Sequence, residues 1–186
     1  MKRTFQPNFP FTIENKHGEK LTFLRLAKDE RGERIEVENW VQPGCGPVMH
    51  VHYHQDEELH VQSGKMGYQV AGGLQQFAEA GESIRFQRGV MHRFWNAGDV
   101  VLNCTGSINP PNNIVYYLWH IYRLMDEGGG QPKGFDAAYL VRKYRTEFDV
   151  EAIPAFVKSV IFPVIVFFGM LGGKHKKFAD APEAVS

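Results

Sequence analysis

The stretch from Gly44 to Gly64 constrains this chain most, because it places two histidines two residues apart and a carboxylate five residues further on. Side chains alternate between the two faces of a β-strand, so a strand here would project His50 and His52 from one face. A short polar turn through residues 53–56 would then bring Glu57 to the same point from the next strand. Two imidazoles and a carboxylate that converge are ligands for a first-row metal.

A second segment, residues 81–96, can supply a fourth ligand, His92. Together the two segments resemble the two motifs of the cupin family. The first motif, G-x5-HxH-x4-E-x6-G, is matched at every fixed position by Gly44, His50, His52, Glu57 and Gly64. The second motif, G-x5-P-x-G-x2-H-x3-N, is matched by Gly81, Gly89, His92 and Asn96.

One position departs from this resemblance: Gln87 stands where the second motif has proline. We expect the change to loosen the turn before Gly89, but it removes no ligand. The resemblance implies that the metal-binding residues are His50, His52, Glu57 and His92. A rival register would use His52, His54 and Glu58, and it ranks second because it places Lys65 where the motif has glycine.

The fold class follows from the spacing of short extended segments between residues 11 and 108, which is typical of an all-β sandwich or barrel. The resemblance implies a double-stranded β-helix, the jelly roll of cupin barrels. We therefore predict a cupin β-barrel domain over residues 1–110 and a C-terminal α-helical extension over residues 111–186. The extension would pack on the barrel or on a partner subunit.

Two helices are predicted in the extension. Ile114, Leu118, Ile121 and Met125 form an amphipathic stripe that stops at the glycines 128–130, and Asn112 or Asn113 can cap its start. Residues 135–148 predict a second helix with a basic, solvated face.

The uncharged apolar run 160–173 is flanked by Lys158 and by the basic residues 174–177. It is shorter than the roughly 20 residues that span a bilayer and it contains Pro163. Packing against the barrel or a second subunit is favoured. Membrane association through residues 153–177 is the less favoured alternative.

Charge and cysteine content narrow the class of protein. The 21 basic and 21 acidic residues give a formal net charge of zero, which argues against a nucleic-acid-binding protein. Two cysteines and a start without an apolar run predict a cytoplasmic protein with free thiols. A homodimer is implied by the resemblance.

Three imidazoles and one carboxylate suit Fe, Mn, Ni, Co or Zn alike and leave coordination positions for substrate or oxygen. We predict a metal-dependent oxidoreductase of the dioxygenase type that acts on a small, aromatic or lipophilic molecule. Two alternatives stay open: a metal-dependent isomerase or hydrolase, and a barrel that binds a small molecule without turnover. The candidate catalytic residues are His54 and Tyr68, either of which could act as a general base. The candidates for hydrogen bonds to the ligands are His54, His60, Gln62, Tyr68 and Asn96.

Overall fold

Residues 5–30 and 32–186 are described by the structure, a computed structural model. Within them the strands are β1 Phe11–Asn15, β2 Glu19–Asp29, β3 Gly32–Val41, β4 His50–His52, β5 Asp56–Ser63, β6 Lys65–Val70, β7 Gln76–Glu79, β8 Ser83–Phe86, β9 His92–Asn96, β10 Leu102–Asn109 and β11 Phe148–Val150. The α-helices are α1 Ile114–Gly128, α2 Gly134–Lys143 and α3 Phe162–Leu171.

The strands form two antiparallel sheets, ordered β1-β2-β3-β10-β5-β8 and β11-β4-β9-β6-β7. Burial alternates along β5 and β9, so one face of each sheet points inward. The inward side chains beside the predicted metal ligands form an apolar core that includes Leu59, Met66, Phe86, Phe94 and Leu102. The predicted all-β, double-sheet jelly roll is thus confirmed, with helices following the barrel.

Helix α1 carries the predicted apolar stripe and ends at Gly128, followed by the C-cap residue Gly129 in the left-handed conformation (φ 69°). Its buried residues join those of β2, β3 and α2 in a second apolar core, in which Phe23, Ile35 and Leu140 are fully buried. Asn113 stands at the N-cap position, but its side chain does not cap the helix. Its amide instead donates to the buried carboxylate of Glu147 and to the carbonyl of Glu183.

The second helix was predicted to run to Phe148, and this C-terminal boundary was wrong. Helix α2 ends at Lys143, and Phe148 begins strand β11 instead. Strand β11 pairs with β4, so that Phe148 lies opposite His52 and Val150 opposite His50. The ring of Phe148 also stacks on Tyr117, with ring centroids 4.6 Å apart. Pairing with the open edge of β4 overrides the local helical pattern. The extension therefore adds a strand to the barrel, and the division at residues 110 and 111 stays a prediction.

The apolar run follows a π-helical turn, Val157–Ile161, and forms α3. Helix α3 packs on α2 through Val166 and Gly169, whereas most of its large apolar side chains are exposed. Across the described ranges, no helix combines the length and apolar character needed to cross a membrane.

Candidate metal centre

Four side chains of the two motifs meet inside the barrel. His50 and His92 lie directly opposite each other on β4 and β9, and His52 lies two residues along β4. Glu57 reaches the same point from β5, which belongs to the other sheet. One potential ligand atom from each of the four residues lies within 4.8 Å of all the others. The cluster can hold a divalent metal, and the assignment of each residue as a ligand stays a prediction.

Each imidazole is oriented by a hydrogen bond at its Nδ1 atom. Nδ1 of His50 lies 2.8 Å from the carbonyl oxygen of Val48, and Nδ1 of His92 lies 2.9 Å from that of Val90. Carbonyl oxygens only accept hydrogen bonds, so each Nδ1 carries the hydrogen and each Nε2 keeps its lone pair. This tautomer presents Nε2 as the metal-binding atom of both residues.

His52 is oriented by Gln55, a residue outside both motifs. The side-chain amide nitrogen of Gln55 donates to the carbonyl oxygen of Pro111 at 2.9 Å. This bond fixes the amide orientation and turns Oε1 of Gln55 toward Nδ1 of His52, 3.2 Å away. His52 therefore has the same tautomer as the other two histidines. Gln55 is 1% exposed, so water does not compete for the two hydrogen bonds of its side chain.

Burial sets the protonation of the cluster. Burial, with a smaller contribution from His52 and His92, lowers the pKa of His50 to about 3, and burial also lowers the pKa of His52. Burial alone would raise the pKa of Glu57, but the hydrogen bond with His92 and the neighbouring imidazoles outweigh it and lower that pKa to about 2. At neutral pH the carboxylate is ionised, and His50 and His52 are neutral, as metal ligands must be.

The contact between His92 and Glu57 tests whether a cation fits here. Nε2 of His92 lies 3.2 Å from Oε2 of Glu57, and Nε2 of His52 lies 3.9 Å from the same oxygen. Nε2 of both imidazoles thus faces one carboxylate oxygen, and the cation that joins these atoms is either a proton in a hydrogen bond or a metal ion. The donor set therefore fits a divalent metal.

Aromatic side chains wall the cluster. The ring of Phe86 stacks on His92, with centroids 4.0 Å apart and planes 9° apart. Phe148 meets His52 edge to face at 5.5 Å. Tyr68 contacts Phe86 edge to face at 6.3 Å, and its hydroxyl donates to Gln76 at 2.9 Å. The walls therefore offer apolar surface beside the metal-binding atoms.

The two candidate catalytic residues are not among the four clustered side chains. Strand β4 ends at His52, so His54 falls in a bend and strand alternation does not place it beside the other histidines. Tyr68 contacts Phe86, and Phe86 in turn stacks on His92. The catalytic roles of His54 and Tyr68 stay predictions.

The polar candidates for hydrogen bonds to the ligands make other contacts. His60 bonds to Ser83 on an exposed face, and Gln62 donates to Thr105. Asn96 donates to the carbonyl oxygens of Val41 and Val100. The residue that does orient a clustered histidine, Gln55, has no periodicity or motif that could have indicated it.

The structure also distinguishes the two registers. Glu57 is buried in the cluster, whereas Glu58 points away and lies 3.7 Å from Nε2 of His60 with about half of each side chain buried. The first register is the one that the fold adopts.

Asp56 holds the turn before Gly89, in which Gln87 stands where the motif has proline. Its carboxylate accepts hydrogen bonds from the backbone and guanidinium of Arg88 and from Arg85. These contacts, led by the bond from Arg88, hold the pKa of Asp56 well below its usual range. The turn is further closed by the amide of Gly89, which donates to the carbonyl of His52 at 2.8 Å. The loosening expected from Gln87 is thus offset by Asp56.

Both cysteines are free thiols, as predicted. Cys104 is fully buried in the barrel core, where burial raises the pKa of its thiol to about 12. Cys45 lies outside the metal cluster, with its sulfur 3.7 Å from the carbonyl oxygen of Pro43. Cys45 therefore fills a loop and is not among the clustered ligands.

The fold and the cluster together define a class of protein. Its members are β-barrels of two sheets that can hold a metal between three histidines and one glutamate. Residues 40–105 match the family model described as the cupin domain. Residues 40–105 therefore carry a cupin domain. No curated protein matches the chain.

The solved structures that the chain matches are only distantly similar to it. An uncharacterised conserved protein with a double-stranded β-helix domain from Klebsiella pneumoniae is 21% identical over 56% of this chain and 82% of that one, with a TM-score of 0.43. KdgF from Halomonas sp. is 15% identical over 52% and 86% of the two chains, with a TM-score of 0.43. The capsular polysaccharide assembling protein CapF from Staphylococcus aureus is 19% identical over 53% of this chain and 30% of its own, with a TM-score of 0.47. Similarity at this level transfers no activity or substrate.

Proposed function

We propose that this protein is a metal-dependent oxidoreductase of the dioxygenase type that acts on a small aromatic or lipophilic substrate. One observation carries the proposal: three imidazoles and a carboxylate converge inside an aromatic-walled barrel. We further propose that the protein acts in the cytoplasm and that it forms a homodimer, as the resemblance implies.

The residues that would hold the metal are His50, His52, Glu57 and His92. A bound Fe, Mn, Ni or Co ion would supply Lewis acidity and redox chemistry toward oxygen, and Zn would supply Lewis acidity alone. Four protein ligands leave one or two positions for substrate and oxygen when the ion is five- or six-coordinate. The donor set does not discriminate among these metals.

The chain's own contribution is to orient the ligands and to exclude water. The hydrogen bonds at Nδ1 hold each ring with Nε2 inward, so that little reorganisation is needed. Phe86 and Phe148 cover two of the imidazoles and would contact a flat or apolar substrate. His50 is the least buried of the four, which makes its side the route of access.

Isomerisation or hydrolysis would need a general base within hydrogen-bond reach of the substrate. Among the described residues, the hydrogen-bond partners of the four clustered side chains are Gln55, two backbone carbonyls and the cluster itself. A base would therefore have to come from a side chain that is not bonded to the cluster, and His54 and Tyr68 are the candidates.

The test is oxygen consumption by the metal-loaded protein. The apoprotein would be loaded separately with Fe(II), Mn(II), Ni(II), Co(II) and Zn(II), and oxygen uptake followed with a panel of catechols and flavonols. We expect substrate-dependent uptake with at least one redox-active metal and none with Zn. His50→Ala should abolish stoichiometric metal and uptake together.

His60→Ala is the matched control, because it removes an exposed imidazole on the neighbouring strand and touches none of the four residues. It should bind metal and consume oxygen like the parent. A fully loaded protein that consumes no oxygen with any substrate contradicts the dioxygenase proposal. Turnover without oxygen that falls in His54→Ala or Tyr68→Phe would instead identify an isomerase or hydrolase.

A further inference from the structure

A band of exposed apolar side chains follows the last long helical segment. Phe156, Val160, Val164, Phe168 and Leu171 are spaced four or three residues apart, which places them along one side of a helix. We call these five residues the apolar band. Their exposed fractions run from 43% for Val160 to 71% for Leu171. Phe167 and Met170, also exposed, widen it.

The opposite side of the helix is fixed to the protein. Gly169 lies against the ring of Phe135 on α2, so closely that a side chain there would overlap the ring. Val166 is buried on the same side. The apolar band therefore lies on the side of α3 that faces away from α2. Turning it toward α2 would break the contacts that hold α3 in place. A contiguous apolar surface of this kind marks a site of interaction.

Charge is distributed in a way that complements an anionic surface. Residues 152–179 contain four lysines and no acidic residue, while the rest of the chain holds 17 basic and 21 acidic residues. Lys158 pairs with Asp149 and Lys177 with Asp136. Within residues 5–30 and 32–186, no ion pair involves Lys174 or Lys176, which directly follow the end of α3.

We propose that the apolar band docks on an anionic phospholipid bilayer, with the helix lying in the plane of the interface. From Val157 to Leu171 the segment is about 22 Å long, which suits a helix that lies along the surface with one side inserted. Lys174 and Lys176 then lie at the level of the headgroups.

A second copy of the chain is the competing occupant of the band. A two-fold pairing would set the same surface against itself, and that surface carries lysines without acidic partners. Anionic headgroups complement this charge, whereas a second copy repeats it. The lipid surface is therefore the better match.

The experiment is vesicle flotation with the full chain. Vesicles would contain phosphatidylcholine alone or with about one quarter phosphatidylglycerol. We expect the protein to float with the anionic vesicles, and about 0.5 M NaCl to weaken binding. The Phe168→Gln, Leu171→Gln double variant should bind at least about tenfold more weakly, because two inserted side chains are lost. Lys174→Glu with Lys176→Glu should lose the preference for anionic vesicles.

Leu74→Gln is the matched control, because Leu74 is 86% exposed in the turn between β6 and β7, outside the band. Its binding should equal that of the parent. In a separate readout, Leu171→Trp should shift its fluorescence to the blue with anionic vesicles. Circular dichroism confirms that each variant is folded.

Two outcomes overturn the proposal. One is that the folded parent does not float with anionic vesicles. The other is that the parent is a dimer by light scattering, that Phe168→Gln with Leu171→Gln makes it a monomer, and that neither protein floats. That second result would assign the band to a second copy of the chain.

Discussion

Gln55 shows how one buried side chain can set the chemistry of a neighbour. Its amide nitrogen is committed to the carbonyl of Pro111, so its oxygen must accept from Nδ1 of His52. Without this acceptor the imidazole could rotate or adopt the other tautomer, with Nε2 protonated. A protonated Nε2 cannot bind a metal.

We predict that Gln55→Leu weakens metal binding by about 10- to 100-fold, the range found when a group that orients a ligand is removed. The free energy of unfolding of the metal-free protein should fall by about 1–3 kcal/mol, because buried polar groups of His52 and Pro111 lose their partners. Metal titration and urea unfolding measure the two effects.

Gln62→Leu is the control for this change, because Gln62 lies on the exposed face of β5 and donates to Thr105. It removes the same amide from a neighbouring strand, and its metal affinity should stay within about twofold of the parent. Unchanged metal affinity in Gln55→Leu would mean that His52 is held by something other than this hydrogen bond.

The clustering of the four side chains was predictable from the sequence, and the contacts that orient them were not. Spacing on short strands was enough to bring His50, His52 and Glu57 together, because alternation and a short turn are local properties. Gln55 and Pro111 are 56 residues apart, and Phe148 meets His52 only through a strand pairing. Such contacts depend on the tertiary fold, which local patterns do not encode.

At the scale of elements, contacts that depend on the tertiary fold also explain where α2 ends. Residues 135–148 have a helical pattern, and helix propensity gives no reason to stop at Lys143. The chain leaves the helix because Tyr144 is buried and Phe148 pairs with β4. A strand of three residues is too short to show its own period. The all-β pattern predicted between residues 11 and 108 was correct, because most of those strands are longer than three residues.

The packing of α3 on α2 rests on Gly169. A Cβ atom at this position would overlap a ring carbon of Phe135, far inside van der Waals contact. We predict that Gly169→Ala lowers the free energy of unfolding by about 1–3 kcal/mol through overpacking. Helix propensity alone predicts the opposite sign, because alanine favours a helix by about 1 kcal/mol over glycine. Thermal or urea unfolding therefore decides between the two effects.

Gly172→Ala is the control for Gly169→Ala. A Cβ atom at Gly172 meets nothing closer than 3.7 Å, and its φ of −77° suits any residue. Its stability should change by less than about 0.5 kcal/mol. A Gly169→Ala variant that is as stable as Gly172→Ala would show that α3 does not depend on close approach to Phe135.

At the scale of the whole molecule, His120 links the folding equilibrium to pH. It is buried where α1 meets the C-terminal segment, with its ring 4.5 Å from that of Tyr116 and 5.3 Å from that of Phe178. Neither ring nitrogen has a hydrogen-bond partner in the described part of the protein. Burial first, and then Arg123 and Lys177, lower the pKa of His120 to about 4, while Asp180 and Asp136 raise it and only partly compensate.

The sign of the effect follows from where the proton binds. Below about pH 6.5 an unfolded histidine is protonated, whereas folded His120 stays neutral until about pH 4. The unfolded state therefore binds more protons in this window, and the free energy of unfolding falls as the pH is lowered from 6.5 to 4. Above pH 6.5 both states are neutral at this position, and His120 adds no pH dependence.

We predict that His120→Phe, which keeps an aromatic ring among aromatic neighbours, gains stability relative to the parent by about 2 kcal/mol between pH 7 and pH 5. Urea unfolding of both proteins with a chelator present measures the difference. Without metal, the histidines of the cluster contribute equally to the free energy of unfolding of both proteins, so their contributions cancel. His60→Phe, which replaces a half-buried histidine outside the aromatic cluster of His120, is the matched control. Parallel curves for His120→Phe and the parent would mean that His120 can take up a proton in the folded molecule, through water or a rotation that exposes its ring.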